Sequence, residues 1–327
     1  MAQGKLLLQK VYTVSRKHDA PRLWLQHLVC ETAGFKPGDD LYVRVDNTQK
    51  RIFIQNKAFE DVTSAELHVS SRTNRTSGAK RPLVDTCGSQ YASILCAQEK
   101  IEINVVKFDH HALIIICPLQ FRLFESGTFE SSSDERIRLL TVCSGAGIGT
   151  SMFVDTQYYT AVQEVEIMDD CAEVIKYNFP DSFLFAGDLR DCHKTTKADV
   201  GFVSLDCSQH SVIGDGGQGY FDNLALGTYK ILKAADPRVI FFENVPAFYE
   251  SLGFKDLKEL LQPDFPYLIG PVQINSFDFG SIAHRKRSYT LFMKEEEDFN
   301  LFRVPKPPVF RRFKLKEFTD PSGSEHD

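Results

Sequence analysis

Cys207 stands where a strand runs out into a glycine-rich loop. In GFVSLDCSQHSVIGDGG, residues 201–217, Gly201 to Ser204 read as the end of a buried strand and Asp206-Cys207-Ser208 as its exit. Gly214, Gly216, Gly217 and Gly219 follow, and hinge glycines suit a loop that closes over a bound group. Open parallel sheets place chemistry at the carboxyl ends of their strands, so a thiol there is a candidate nucleophile. Alone, a buried structural cysteine explains the residue as well. Other polar groups fall at comparable places: Ser144-Gly145-Ala146-Gly147 after an apolar run, Glu166-Ile167 after a second, Asp188-Leu189 after a third, and Glu243 in FENVP, residues 242–246. Glycines let backbone approach a ligand and present amides at a helix start. An acidic residue closing the second strand can accept hydrogen bonds from ribose hydroxyls. Singly, these are an ordinary turn, a helix cap or a surface charge.

The elements that must hold these groups alternate in type from Arg136 onward. Strands are expected at Ile137 to Cys143, Thr160 to Val165, Phe183 to Ala186, Val200 to Ser204 and Val239 to Phe242, with a helix from Phe221 to Ala235. Short apolar runs alternating with helical spacing predict an α/β fold around a mostly parallel sheet. Residues 1–125 read differently, as a small all-β hairpin-repeat domain. One copy runs from Pro21 through LYVRV, a polar break at 46–50, and RIFI; the other runs from Pro82 through IEINVV, a break at 107–111, and ALIII. Two such hairpins can bury their apolar faces against each other. Residues 126–135 are small, polar and aperiodic, a linker. The predicted organisation is therefore a β domain at 1–125, an α/β domain at 136–295 and a tail at 296–327.

The 327 residues suffice for two domains. There is no signal-like start and no run of about 18 apolar residues, so an intracellular protein without a membrane span is expected. The eight cysteines show no CxxC pair, so reduced thiols and no metal are expected. Net charge is −6, but residues 1–81 hold 14 Lys and Arg against 8 Asp and Glu, and the remainder is acidic. A basic first quarter is compatible with nucleic acid, and equally with a solvated surface.

From Arg136 to about Lys294 the chain resembles the cytosine-carbon-5 DNA methyltransferases. The resemblance rests on ordered pieces: SGAG at 144–147, VEI at 165–167, NFPD at 178–181, GDLRD at 187–191, the strand-exit Cys207, FENVP at 242–246 and HRKR at 284–287. It implies a Rossmann-like methyltransferase sheet and S-adenosyl-L-methionine as methyl donor. Ser144, Gly145, Ala146, Gly147, Glu166, Ile167, Asp188 and Leu189 would line the donor's site. Catalysis would fall to Cys207 as nucleophile, Glu243 at ring nitrogen 3 and the exocyclic amine, and Arg285 and Arg287 behind the target base. The implied substrate is duplex DNA with its cytosine flipped out, in a bacterial or phage-like intracellular setting. The stretch from Pro21 to Gln55, with its AGFKPGD turn before VRV, resembles the SymE-like and AbrB-type swapped-hairpin domains, which implies DNA contact.

Three positions depart from the methyltransferase pattern. Asp206-Cys207-Ser208 replaces Pro-Cys-Gln, Ala283 replaces a glutamine, and Cys143 an aromatic. A carboxylate beside the thiol disfavours thiolate formation. The residues after 295 are too few for the family's target-recognition region, so a second polypeptide or the amino-terminal repeat is expected to supply recognition. Two other readings follow: a catalytically lapsed fold that binds nucleic acid or regulates, and a tRNA cytosine-5 methyltransferase.

Overall fold

The computed structural model describes residues 4–17, 20–73, 78–109, 111–119, 135–206 and 224–309, together with the backbone of 127–129. The amino-terminal part contains β1 (Lys5–Thr13), β2 (Ser15–Lys17), β3 (Ala20–Leu25), α1 (His27–Thr32), β4 (Asp40–Asp46), β5 (Arg51–Gln55), β6 (Leu67–His68), β7 (Ser70–Thr73), β8 (Lys80–Cys87), β9 (Lys100–Lys107) and β10 (Ala112–Pro118). A short β11 (Gly127–Phe129) follows. Strands and helices then alternate: β12 (Ile137–Val142), α2 (Ile148–Val154), β13 (Tyr159–Glu166), α3 (Asp169–Asn178), β14 (Phe183–Ala186), β15 (Lys194–Thr196), β16 (Val200–Val203), α4 (Leu224–Ala235), β17 (Val239–Asn244) and α5 (Leu252–Leu261). An antiparallel pair, β18 (Tyr267–Asn275) and β19 (Lys286–Met293), and α6 (Glu296–Leu301) come last.

Six neighbouring strands, in the order β17, β16, β12, β13, β14, β1, run parallel. Parallel strands are covered on both faces and read as continuous apolar runs. Phe183, Leu184, Phe185 and Ala186 of β14 are accordingly all buried. Helix α4 turns Leu224, Thr228, Ile231, Leu232 and Ala235 inward at helical spacing. The chain passes from β12 to β13 and β14 on one side and reaches β16 and β17 on the other. The crevice of an open sheet lies at such a reversal, outside the carboxyl ends. Here it falls between β12 and β16. Helix α4 begins within the span expected from sequence; residues 221–223 of that expectation lie outside the described residues.

The amino-terminal half differs from the sequence reading in how it joins the rest. Strands β3 and β8 pair with each other, and each leads through a helical turn into a hairpin, β4–β5 or β9–β10. The hairpins meet edge to edge through β5 and β10, and their apolar residues, among them Val43, Ile52 and Ile54 with Ile103, Val105 and Ile114, share one core. Nor does the sheet stop at the boundary, because β1 pairs antiparallel with β9 and parallel with β14. An exposed edge on β14 would be an open template for pairing, and β1 closes it. One continuous 13-stranded sheet results, and one apolar core contains Leu8, Ile103 and Val105 together with Ala172, Ile175, Leu184 and Ala186. The expected linker also has structure, since β11 pairs in parallel with β15.

A buried polar cluster locks this junction. Gln9 donates to Asn104 at 2.9 Å, and the Glu102 carboxylate accepts from Lys194 at 2.7 Å and meets His193 at 2.6 Å. Burial alone would raise the pKa of Glu102, but His193, Lys194 and Asn104 outweigh it and hold the group at about 2. Glu102 belongs to the amino-terminal half, and His193 and Lys194 to the other. Among the described residues no helix is long and apolar enough to cross a membrane.

Candidate active site

The carboxyl end of β12 is shaped by backbone. Cys143, Gly145 and Gly147 all have positive φ, at 58°, 54° and 81°, so the chain coils tightly before α2 begins at Ile148. Such angles favour glycine and strain other residues. A side chain at Gly147 would meet the Phe179 ring at 2.8 Å, whereas one at Gly145 would meet nothing within 4 Å. The turn therefore packs its second glycine inward and leaves its first open to the crevice. Glu166 fixes it from the neighbouring strand: one carboxylate oxygen accepts from the Gly145 amide at 2.7 Å, the other from Met168 at 2.8 Å. Ser144 is tied through its amide to the Val165 carbonyl at 3.1 Å.

Below this turn lies a second carboxyl group. Thr141 and Thr150 share a hydrogen bond of 2.9 Å, and Thr150 donates to Glu164 at 3.1 Å. Burial pushes Glu164 up to about 8, above the opposing effect of the Ser144, Thr150 and Thr141 hydroxyls and of Lys176. It is a neutral acid at pH 7. The Cys143 thiol beside the turn is also pushed up, to about 12, by burial first and then by Glu166, Asp206 and Asp188. It is a protonated thiol and no nucleophile.

Past Glu166, Ile167 is 55% exposed and Asp188 follows the end of β14. Asp188 caps a short turn, accepting from the Arg190 amide at 3.0 Å and from its guanidinium at 2.9 Å. Partial burial works against its charge, but the Arg190 contacts prevail and hold it below the usual carboxylate range. Leu189 behaves differently from its neighbours. It is only 5% exposed and packs under α4, where a side chain at Gly227 would come within 2.5 Å of it. Its place is in the wall behind the site, not on the surface.

On the other side of the reversal, Glu243 is the last residue but one of β17. Arg287 of the adjacent β19 pairs with one of its oxygens at 2.9 Å, and the Ser204 hydroxyl donates to the other at 2.9 Å. Both charged side chains are more than four-fifths buried, and a charge so placed is costly unless paired. Asn244 donates to the Leu205 carbonyl at 2.8 Å, which pins the exit of β16 against β17. Ser204 and Asn244 were not among the residues expected from sequence; a serine ending an apolar run gives no sign of its partner 39 residues away. Arg285 stands exposed on the turn before β19, its carbonyl accepting from the Ser276 amide at 3.0 Å. The structure thus gathers Ser144 to Gly147, Glu166, Ile167 and Asp188 on one side and Glu243 with Arg287 on the other. Cys207 and the loop after it lie outside the described residues, which break off at Asp206, just beyond the pinned Leu205, and resume at Leu224.

The model of the C-5 cytosine-specific DNA methylase family matches residues 137–322. That is more than half of the chain, and the protein belongs to this family. Similar solved structures include a prophage-encoded DNA modification methyltransferase of E. coli, at 19% identity and a TM-score of 0.45, covering 55% of this chain and 53% of that one. The methyltransferase EhMeth of Entamoeba histolytica has 18% identity and a TM-score of 0.45, covering 57% and 61%. A Spodoptera frugiperda DNMT2 variant has 19% identity and a TM-score of 0.39, covering 55% of each chain. The match thus spans between about half and three-fifths of each of those proteins. No curated protein matches the sequence.

Proposed function

We propose that the protein transfers a methyl group from S-adenosyl-L-methionine to carbon 5 of cytosine in DNA, through a covalent adduct of Cys207. The observation that carries this reading is the Ser204–Glu243–Arg287 constellation, which runs from the exit of β16, the strand that precedes Cys207 in the chain, across β17 to β19. Cytosine carbon 5 is too weak a nucleophile to take a methyl cation equivalent unaided. Addition of a thiolate to carbon 6 forms a carbon–sulfur bond and pushes an electron pair into the ring, which makes carbon 5 enamine-like. Glu243 acts as general acid, delivering a proton to ring nitrogen 3 that neutralises this charge, while its other oxygen accepts from the exocyclic amine. Arg287 holds the carboxyl group in place, and Arg285 adds positive charge at the rim. Once carbon 5 carries the methyl, it loses its proton to a base and the sulfur departs with its electron pair.

The residues present fit the donor. The open side of Gly145 leaves room for a close approach, and Glu166 retains acceptor capacity, since a carboxylate has about four lone-pair sites and two are in use. Ile167 offers an exposed apolar surface for an adenine ring, and Asp188 an acceptor near it. When bound, the donor supplies an electrophilic methyl group on a sulfonium. Asp206 adjoins the thiol and opposes its ionisation, so thiolate formation relies on the bound base and the arginines.

Duplex DNA carrying 5-fluorocytosine tests the assignment, because fluorine at carbon 5 blocks release of the enzyme. In the presence of donor, the wild-type protein forms an adduct that survives denaturing electrophoresis, and Cys207→Ala forms none. Absence of the adduct with duplex DNA, with its appearance on tRNA bearing the same base, would reassign the acceptor. No adduct on either would remove Cys207 from catalysis.

A further inference from the structure

The donor site proposed above has a neighbour that the methyltransferase half does not itself provide. A cleft of about 400 Å³ lies beside Ile167 and Asp188, and its opposite wall comes from the amino-terminal half, through Lys10, Tyr12 and Lys100. The reason is topological. Strand β1 runs parallel to β14, with Lys10 level with Ala186, so Val11 to Thr13 emerge at the same sheet edge as Gly187 and Asp188. Three adjacent parallel strands, β13, β14 and β1, therefore deliver their carboxyl ends to one row. Contact is close: a side chain at Gly187 would lie 3.6 Å from Val11.

Two ion pairs cross this cleft. Lys10, largely buried, pairs with Asp169, the first residue of α3 and two positions after Ile167. Lys100 pairs with Asp191 at 2.5 Å, three positions after Asp188. Each acidic member sits on a segment that also carries an expected donor-binding residue. The wall is fixed in place, because β1 is pinned by the buried Gln9–Asn104 bond and the adjoining Glu102 cluster.

We infer that the carboxyl end of β1 forms the outer wall of the donor's nucleoside site, with Lys10 a positioning residue that acts through Asp169 on the Ile167–Met168 segment. The inference rests on the S-adenosyl-L-methionine reading. It makes the amino-terminal half part of the donor site. Removing Lys10 leaves Asp169 without its cation and loosens the start of α3, and with it the surface on which an adenine would lie.

The test is calorimetry on the full chain with S-adenosyl-L-methionine, S-adenosylhomocysteine and adenosine as separate ligands, alongside steady-state kinetics. Lys10→Met weakens all three ligands by a similar factor, about fivefold to tenfold. The defect appears in KM for the donor more than in kcat, and Lys10→Arg restores most of it. Lys100→Met, at the exposed rim, weakens binding by about threefold and serves if Lys10→Met fails to fold. Glu166→Ala is the reference. If Glu166→Ala loses donor binding while Lys10→Met and Lys100→Met stay within error of wild type, the wall is overturned and the donor reading survives. A loss for the methionine-bearing ligands but not for adenosine also overturns it. If Glu166→Ala itself binds as wild type does, the donor reading fails and takes the inference with it.

Discussion

The glycine turn after β12 and the Glu243–Arg287 pair lie on opposite sides of the strand that delivers Cys207, and they are held by different means. On the turn side the shape comes from backbone: three consecutive odd-numbered residues at positive φ, with Glu166 accepting main-chain amides from both flanks. On the other side the geometry comes from side chains, with one carboxylate between a guanidinium and a hydroxyl across three neighbouring strands. A backbone cradle suits a ligand that is always the same, since amides and open space recognise shape. A side-chain constellation suits a place where charge develops during a reaction, because its partners can be tuned one at a time.

Substitutions on the two sides should therefore fail in different ways. The largest effect is expected from Glu243→Gln, which keeps the shape but cannot deliver a proton to ring nitrogen 3; turnover falls by about 100-fold to 1,000-fold while calorimetric donor affinity changes little. A comparable loss of donor affinity in this variant would erase the distinction between the two sides. Gly147→Ala should act on the turn instead. A β-carbon is strained at that φ and meets Phe179, so the melting temperature drops by an amount equivalent to about 2 kcal/mol and donor KM rises. Ser204→Ala, which removes one of the two contacts on Glu243, lowers turnover by about fivefold and leaves thermal stability within about 1 kcal/mol of wild type.

The smallest effect on turnover is expected at Glu164 beneath the turn, which sharpens the comparison by the pH dependence of stability. Its folded value near 8 lies above the ordinary 4.5, so the folded protein holds a proton that the unfolded chain releases. Stability from this group is then lost as pH rises from about 4.5 towards 8, by linkage. Glu164→Gln cannot ionise, so denaturant titrations between pH 5 and pH 8 should show a flatter profile on the alkaline side, with little change at the acid end. An unaltered profile would place that proton elsewhere.

Much of the site was legible because its residues sit at strand ends, where composition changes abruptly. Strand β14 has the limits expected from sequence, and β13 exceeds its expected limits by one residue at each end, with Glu166 as its last residue. Apolar runs announce a buried parallel strand whatever surrounds it. Ser204 and Asn244 escaped notice because their contacts depend on which strands become neighbours. The same holds for Leu189, whose position in GDLRD suggests a ligand contact but whose burial is decided by α4.

What the sequence by itself determined is the set of local elements and the order of chemical groups along them: periodicity, glycine positions and charge are properties of the chain. Which strand closes the edge of β14 was settled only in three dimensions. Edge pairing is made by backbone amides and carbonyls that nearly every residue possesses, so no side-chain pattern marks β1 as the partner of a strand that begins 178 positions after it starts. The Lys10–Asp169 pair, between residues 159 positions apart, exists because of that choice.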